Sequence, residues 1–278
     1  MKLLLTGKPG SGKTTLLESF VERVPNKQGF VTREVRENGQ RVGFELVSSL
    51  GETATLASVN SDSPARVSRY GVELDQFNDF LTHLPSVQAD SLLYVDEIGQ
   101  MELFSEQFKQ LVSSYLNTQN PYAGTISSVY RNTFTEAILG RDDIILLKVA
   151  ENNRQQIREA LSGLAANLTL LGRISPTVQG GVTKMARAYA DAAAYLQLKK
   201  LFKNAIKYLA EDRLRATTPN GFLVEGDTQP HQVSRDDHGS WRCDCDLNNG
   251  RGKFKDNAGE CSHIQAVKLK LVADNATH

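Results

Sequence analysis

The sequence predicts an α/β fold in which a parallel sheet is flanked by helices and is followed by a smaller C-terminal region. Short apolar runs alternate with segments of helical spacing through the first part of the chain, as in a parallel sheet covered on both faces. A glycine-rich stretch, Gly7 to Thr15, joins the first apolar run to the first helical segment. The three cysteines all lie between Cys243 and Cys261, which indicates a separate unit near the end of the chain.

The first strand and the stretch after it predict a phosphate-binding loop. Lys2 to Thr6 is an apolar run with the length of a buried parallel strand. The residues that follow fit G-x-x-x-x-G-K-[ST] without a mismatch. The glycines allow a tight turn that directs backbone N–H groups toward phosphate oxygens, and a helix N-terminus then faces the bound anion. The loop residues are Gly7, Lys8, Pro9, Gly10, Ser11, Gly12, Lys13, Thr14 and Thr15.

Two acidic residues follow a later apolar run, 91–99, which predicts another buried strand. Lys13 is expected to reach the β- and γ-phosphates, and the Thr14 hydroxyl to bind Mg²⁺. Asp96 would stand at the carboxyl end of its strand, beside the loop, as the outer partner of that Mg²⁺. Glu97 could act as the base that activates a water molecule. The alternative is a solvated Asp-Glu pair after a buried strand.

The other elements of the first region continue the alternation of strands and helices. The segment "ENGQ" (37–40) separates two segments of alternating polarity and predicts an inserted β-hairpin. Apolar spacing predicts helices over 71–84 and 106–116, and strands over 122–129 and 143–150.

Composition indicates an ordinary soluble globular protein, with 40% hydrophobic and 23% charged residues and a formal net charge of zero. No apolar run approaches the ~18 residues of a membrane span, and no signal-peptide pattern opens the chain. We therefore expect a cytoplasmic location and no membrane partner. The neutral net charge implies no particular macromolecular partner.

The balance of charge changes along the chain, with an acidic excess before residue 176 and a basic excess after it. Between these parts, "GRISPTVQGG" has the Gly, Pro, Ser and Thr content of a linker. We expect four regions: a nucleotide-binding domain over 1–172, a linker over 173–182, one basic helix over 183–216 and a metal-binding unit over 217–278. Lys199, Lys203 and Lys207 would share one face of that helix, which is either solvated or a nucleic-acid surface.

Four stretches in order, "GKPGSGKTT", "GFVTREVRENGQRVGFELV", "RVSRYGVEL" and "YVDEIGQMELFS", resemble the THEP1 family of nucleoside-triphosphatases. The resemblance implies a compact P-loop NTPase that hydrolyses ATP, GTP and other triphosphates with loose base selectivity. It assigns phosphate and Mg²⁺ binding to Lys13 and Thr14, and the acid pair to Asp96 and Glu97. It also suggests that Asn153 and Arg154 lie near the base; the alternative is an exposed helix start.

Other functions of the same loop remain open. The chain lacks the Asn-Lys-x-Asp guanine-recognition motif of a GTPase. A nucleoside or nucleotide kinase would need arginines that hold a second phosphate group, and Arg66, Arg69 or Arg131 could do so or could stabilise charge during hydrolysis. A nucleotide-switched binding module with little turnover of its own is a further alternative.

The C-terminal cysteines form a metal-binding pattern, Cys-x-Cys followed by Cys-x-His. Three thiolates and one imidazole, from Cys243, Cys245, Cys261 and His263, match the closed tetrahedral site of structural zinc. A disulfide would leave one cysteine over. The pattern resembles the SWIM zinc finger, which implies a small ββα-like unit that binds DNA, RNA or a protein. His231 and His238 precede the cluster and are expected to lie outside the ligand set.

Overall fold

The computed structural model describes residues 1–245 and 260–276, with side chains through 272. The chain divides into two compact units, residues 1–154 and 155–278. This division falls one helix before the expected boundary at 172. No helix among the described residues has the length and apolar character needed to cross a membrane.

The first unit, all of whose residues are described, is built on one nine-stranded mixed sheet. Its strands are β1 (Lys2–Thr6), β2 (Lys27–Glu37), β3 (Gln40–Ser48), β4 (Thr53–Ser58), β5 (Arg66–Val67), β6 (Tyr70–Val72), β7 (Leu92–Ile98), β8 (Tyr122–Ile126) and β9 (Ile144–Lys148). They lie in the order β5-β6-β4-β3-β2-β7-β8-β1-β9. The five neighbouring strands β2-β7-β8-β1-β9 are parallel to one another, so their carboxyl ends meet at one edge of the sheet.

The expected α/β fold and its inserted hairpin are confirmed. Asn38 and Gly39 join β2 to β3, and both have the positive φ angles, 48° and 79°, that a tight hairpin turn requires. The helices of this unit are α1 (Lys13–Val21), α2 (Leu74–Thr82), α3 (Glu106–Asn117) and α4 (Thr133–Leu139), with a 3₁₀ turn at Glu102–Phe104. The first residues of the helix expected over 71–84 belong instead to β6, because they pair with β4.

Aromatic packing joins the helices to the sheet in the first unit. Phe30 of β2 contacts Phe77 and Phe80 of α2 and Phe108 of α3, with ring centroids 5.5 to 6.3 Å apart. All four side chains are buried. These rings therefore pack α2 and α3 against β2.

The second unit combines helices with a four-stranded antiparallel sheet. Its elements are α5 (Arg154–Asn167, starting at the last residue of the first unit), a 3₁₀ turn (Leu168–Arg173), α6 (Pro176–Asp191), α7 (Tyr195–Lys200), a π-helical turn (Leu201–Ala205), α8 (Ile206–Ala210), β10 (Leu214–Thr218), β11 (Gly221–Glu225), β12 (Pro230–Arg235), β13 (Trp241–Cys243) and α9 (Ser262–Ala276). The expected small sheet followed by a helix is therefore present, with four strands among the described residues rather than two.

The linker expected over 173–182 is mostly helical. Ser175 accepts a hydrogen bond from the Val178 N–H, and Pro176 occupies the first turn of α6, so two residues interpreted as linker composition form a helix start. The buried side chains Val178 and Val182 recur at helical spacing on α6. Their burial holds this stretch as a helix.

The single basic helix expected over 183–216 is also wrong. It is interrupted after Asp191, where Ala193 has a φ of 52°, and residues 214–216 belong to β10. The π-helical turn lies between Lys199 and Lys207, which removes the regular spacing of a common face. Lys199 forms an ion pair with Glu159 at 2.8 Å, and Lys207 forms one with Asp227 at 2.8 Å. These two lysines are therefore partly neutralised.

Asn167 supports the π-helical turn from α5. Its buried side-chain amide donates hydrogen bonds to the carbonyl groups of Phe202 (2.9 Å) and Lys203 (2.7 Å). We expect Asn167→Leu to lower the free energy of unfolding by about 1–3 kcal/mol, because buried carbonyl groups lose a donor. Urea denaturation measures this cost. Asn204→Leu on the same turn is the control and should cost clearly less, since its side chain takes no part in these bonds.

Candidate functional site

The phosphate-binding loop lies between β1 and α1, at the edge where the parallel strands end. Gly7 approaches the neighbouring chain so closely that a Cβ atom there would lie 2.4 Å from the Val149 carbonyl oxygen. Gly12 has a φ of 91° and occupies the N-cap position of α1, where no side chain caps the helix. The first N–H groups of α1 are thus left available for an anion.

Lys13 opens α1 and is 9% exposed. Its Nζ donates a long hydrogen bond, 3.3 Å, to the Gly7 carbonyl oxygen and so lies across the loop. The hydroxyl of Ser11 is buried and has no hydrogen-bond partner among the described residues. A buried ammonium and an unpaired hydroxyl in one loop fit an anionic ligand with several oxygen atoms.

Asp96 lies at the end of β7 with 1% exposure. Its carboxylate accepts hydrogen bonds from the hydroxyls of Thr125 (2.5 Å) and Thr14. Burial raises the pKa of Asp96 to about 6, and these two hydrogen bonds oppose the rise. Thr14 and Asp96, from distant parts of the sequence, are therefore in contact. A hydroxyl and a carboxylate are the oxygen donors that Mg²⁺ prefers, so this pair fits that ion.

Two further acids lie close to Asp96. Glu97, the next residue on β7, is half-buried. Glu102, which the sequence reasoning did not single out, is 5% exposed. Burial, and then the charge of Glu97, raise the pKa of Glu102 well above its usual value. The sequence feature that could have indicated its burial is its place between the apolar residues Met101 and Leu103.

Arg154 lies against the phosphate-binding loop. A Cβ atom on Gly12 would lie 3.2 Å from Arg154 Nε, which is buried and has no hydrogen-bond partner among the described residues. Asn153 positions it: its Oδ1 accepts a hydrogen bond from the Ala150 N–H, and its Nδ2 donates one to the Lys148 carbonyl oxygen, each at 2.9 Å. Asn153 thus folds the turn before α5, and Arg154 faces the loop.

The other candidate arginines are engaged by nearby groups. Arg66 donates hydrogen bonds to the Ser61 and Arg69 carbonyl oxygens. Arg69 donates to the Arg41 carbonyl oxygen and the Tyr70 hydroxyl. The guanidinium of Arg131 donates to the Ser127 carbonyl oxygen at 2.5 Å and pairs with Glu136 at 3.3 Å.

The first unit is similar in sequence to known proteins. Residues 2–162 match a protein-family model described as NTPase. THEP1 of Thermotoga sp. (strain RQ2), a nucleoside-triphosphatase, is 36% identical over 170 residues, which cover 60% of this chain and 97% of that protein. The chain belongs to the THEP1 nucleoside-triphosphatase family. A mouse protein, the cancer-related nucleoside-triphosphatase homolog, is 34% identical over 173 residues, which cover 56% of this chain and 91% of that protein.

Two solved structures of nucleoside-triphosphatases share the fold. The crystal structure of Aquifex aeolicus THEP1 has a TM-score of 0.51 and 29% identity, covering 57% of this chain and 95% of that one. The solution structure of a human cancer-related nucleoside triphosphatase has a TM-score of 0.50 and 32% identity, covering 60% and 96%. The family model ends at residue 162, so the cysteine cluster lies outside it.

In the second unit, Cys243, Cys245, Cys261 and His263 come together as a buried cluster. The potential ligand atoms lie within 4.8 Å of one another. His263 Nδ1 lies 3.6 Å from Cys243 Sγ and 3.9 Å from Cys261 Sγ. A tetrahedral zinc ion, with Zn–S of about 2.3 Å and Zn–N of about 2.0 Å, would hold such atoms about 3.5 Å apart. The cluster therefore fits the geometry of a structural zinc site.

Aromatic rings surround the imidazole of His263. Tyr208 stacks on it with ring centroids 5.3 Å apart. The ring of His231 is tilted relative to it, with the two centroids 4.3 Å apart. His231 Nδ1 is 3.1 Å from the Asp244 carboxylate, so the buried His231 packs beside the four-residue cluster. His238 is exposed in the turn between β12 and β13. The packing around His263 fixes its ring orientation.

Proposed function

We propose that this chain hydrolyses nucleoside triphosphates to diphosphate and phosphate in the presence of Mg²⁺, with loose base selectivity. The observation that carries the proposal is the contact between Thr14 and Asp96, beside the Lys13 ammonium and directly before Glu97. The members of this family named above are nucleoside-triphosphatases, which supports the same chemistry.

Each group has a separate role in this proposal. Lys13 and the N–H groups at the start of α1 bind the β- and γ-phosphates. Thr14 and Asp96 hold Mg²⁺, which when bound neutralises charge that develops on the phosphate oxygens. Glu97 accepts a proton from water as the water oxygen attacks the γ-phosphorus, and the bond to the diphosphate leaving group breaks.

The positions of the arginines favour hydrolysis over transfer to a second nucleotide. A kinase needs cations that hold the acceptor phosphate. Arg66, Arg69 and Arg131 instead donate hydrogen bonds to backbone carbonyl groups in their own surroundings. A half-buried carboxylate at Glu97 suits water as the acceptor.

Arg154 is proposed to bind phosphate rather than the base. It is a cation beside the loop, and its buried Nε has no hydrogen-bond partner among the described residues. We expect Arg154→Ala to weaken ATP binding by about 10- to 100-fold, because a hydrogen bond to a charged group is lost. Titration with a fluorescent ATP analogue measures this. Arg131→Ala is the matched control and should bind within about twofold of the parent; equal losses in both variants would contradict the assignment.

The second unit is proposed to be a structural zinc module of SWIM type, with Cys243, Cys245, Cys261 and His263 as ligands. Its buried donor set supports this. The resemblance to SWIM modules suggests that the unit binds DNA, RNA or a protein partner. Of the three lysines expected to share one face of a basic helix, Lys199 and Lys207 are paired with acids. Three further basic residues near the cysteines, Arg251, Lys253 and Lys255, lie outside the described residues.

Phosphate release from ATP, GTP, CTP and UTP tests the whole proposal in one experiment with the full chain. We expect Mg²⁺-dependent turnover of all four without a partner, with kcat/KM values within about tenfold of one another. The same assays with added DNA and RNA report on the second unit. Turnover seen only with a polynucleotide would replace this proposal with a nucleotide-switched binding module.

A further inference from the structure

Thr125 lies near the carboxyl end of β8, a strand whose residues are all buried, and is itself 0% exposed. A valine of the same shape would fill this space without a polar atom, and a buried hydroxyl costs free energy unless it is hydrogen-bonded. The Thr125 hydroxyl donates a hydrogen bond to Asp96 Oδ1 at 2.5 Å. The polar atom at this position therefore serves the Asp96 carboxylate rather than the packing of the core.

The pairing of β7 with β8 brings these two side chains together. Val95 pairs with Gly124, so Asp96 and Thr125 are the next residues on two neighbouring parallel strands. Gly124 permits a close approach at this point, because a Cβ atom on it would lie 2.8 Å from the Val95 carbonyl oxygen. A larger residue there would push the strands apart and separate the hydroxyl from the carboxylate.

Asp96 is held from both neighbouring strands. The pairing of β7 with β8 is irregular between Val95 and Ile98, so the regular ladder is interrupted at Asp96. From the side of β2, the Thr32 hydroxyl donates a hydrogen bond to the Asp96 carbonyl oxygen at 2.5 Å. This bond fixes the backbone but not the carboxylate, because rotation about the last side-chain bond of an aspartate is soft. The hydrogen bond from Thr125 restricts that rotation.

We propose that Thr125 is a positioning residue for the Mg²⁺ site: its hydroxyl holds the Asp96 carboxylate in the orientation in which it meets Thr14. The two proposed ligands are then in place before the metal ion binds. Residues that hydrogen-bond a metal ligand in this way contribute about 10- to 100-fold to metal affinity or activity. The inference rests on the proposed Mg²⁺-dependent hydrolysis and adds to it the residue that orders the metal ligands.

The test measures the coupling between metal ion and nucleotide in the full chain. A fluorescent, non-hydrolysable ATP analogue is titrated in Mg²⁺ and in EDTA, and the ratio of the two affinities gives this coupling. Thr125→Val keeps the shape of the side chain without the hydroxyl, and we expect the ratio to decrease about 10-fold. The Mg²⁺ concentration for half-maximal ATP hydrolysis should rise by a similar factor.

Thr125→Ser keeps the hydroxyl and should stay within about threefold of the parent on both measures. Affinity in EDTA should change by less than about twofold in either variant, because the phosphate-binding loop is unaltered. A purely structural role for Thr125 would lower thermal stability without a selective loss of the metal-dependent part of binding.

Thr118 supplies the matched control. Its half-buried hydroxyl donates a hydrogen bond to the Tyr115 carbonyl oxygen at 2.9 Å, and it lies before the amino end of β8. Thr118→Val therefore makes the same chemical change away from the site and should match the parent in the affinity ratio and in the Mg²⁺ requirement.

An unchanged ratio and Mg²⁺ requirement in Thr125→Val would overturn the proposal, and so would equal losses in Thr125→Val and Thr125→Ser. If Thr125→Val does not fold, as judged by thermal unfolding, Thr125→Ser and Thr125→Ala are compared, because they differ by one hydroxyl. A lower ratio in Thr125→Ala then supports the proposal, and equal ratios overturn it. A parent without turnover would refute the proposed hydrolysis itself, whereas an active parent whose Mg²⁺ requirement is unchanged in Thr125→Val would refute only the role of Thr125.

Discussion

Replacing Glu97 by Gln should slow ATP hydrolysis by about 10²- to 10⁴-fold, the range typical of losing a general base. The amide keeps the shape of the side chain but cannot accept the proton that leaves the attacking water. Binding should survive, because Lys13, the start of α1 and the Thr14–Asp96 pair remain in place. Single-turnover hydrolysis and titration with a fluorescent ATP analogue measure the two effects separately.

Lys13→Ala provides the contrasting variant. It removes a buried positive charge from the β- and γ-phosphates, so binding and hydrolysis should decline together. If Glu97→Gln loses hydrolysis but keeps binding, while Lys13→Ala loses both, Glu97 is identified as the group that acts on water. Hydrolysis by Glu97→Gln at the parent rate would show that another group accepts the proton.

The architecture of the first unit could be predicted because its signals are local. The phosphate-binding motif fixes a strand, a loop and a helix start within fifteen or so residues, and each glycine there meets a backbone constraint that the sequence pattern encodes. The Asn38-Gly39 turn likewise fixes the hairpin from two residues. The contact between Thr14 and Asp96 could be anticipated because parallel strands end at one edge of a sheet.

Features that depend on contacts across the fold could not be predicted. The environment of Glu102 is created by Gly99 and Glu97 after the turn has formed, and no spacing rule marks a buried acid. In the second unit, the sequence predicted one basic helix over 183–216. The break at Ala193 and the π-helical turn supported by Asn167 reflect packing, which overrides intrinsic helix propensity.

The second large effect concerns the cysteine cluster of the second unit. We expect about one zinc ion per purified chain, because three buried thiols and an imidazole lie at tetrahedral spacing. The cluster joins β13, which carries Cys243, to the start of α9, which carries His263. In small zinc-binding units the metal supplies about 10–16 kcal/mol of folding free energy, so its loss should be severe here.

Cys261→Ser should therefore release the zinc and increase hydrogen exchange in β11, β12 and α9. His263→Ala should do the same, whereas His238→Ala, which alters an exposed histidine outside the cluster, should keep both the metal and the protection. ATP hydrolysis should persist in all three variants, because the loop and the acid pair belong to the first unit. Elemental analysis and hydrogen–deuterium exchange measure metal content and protection. A zinc-free parent chain with fully protected β11, β12 and α9 would mean that the cysteines stabilise this unit by packing alone.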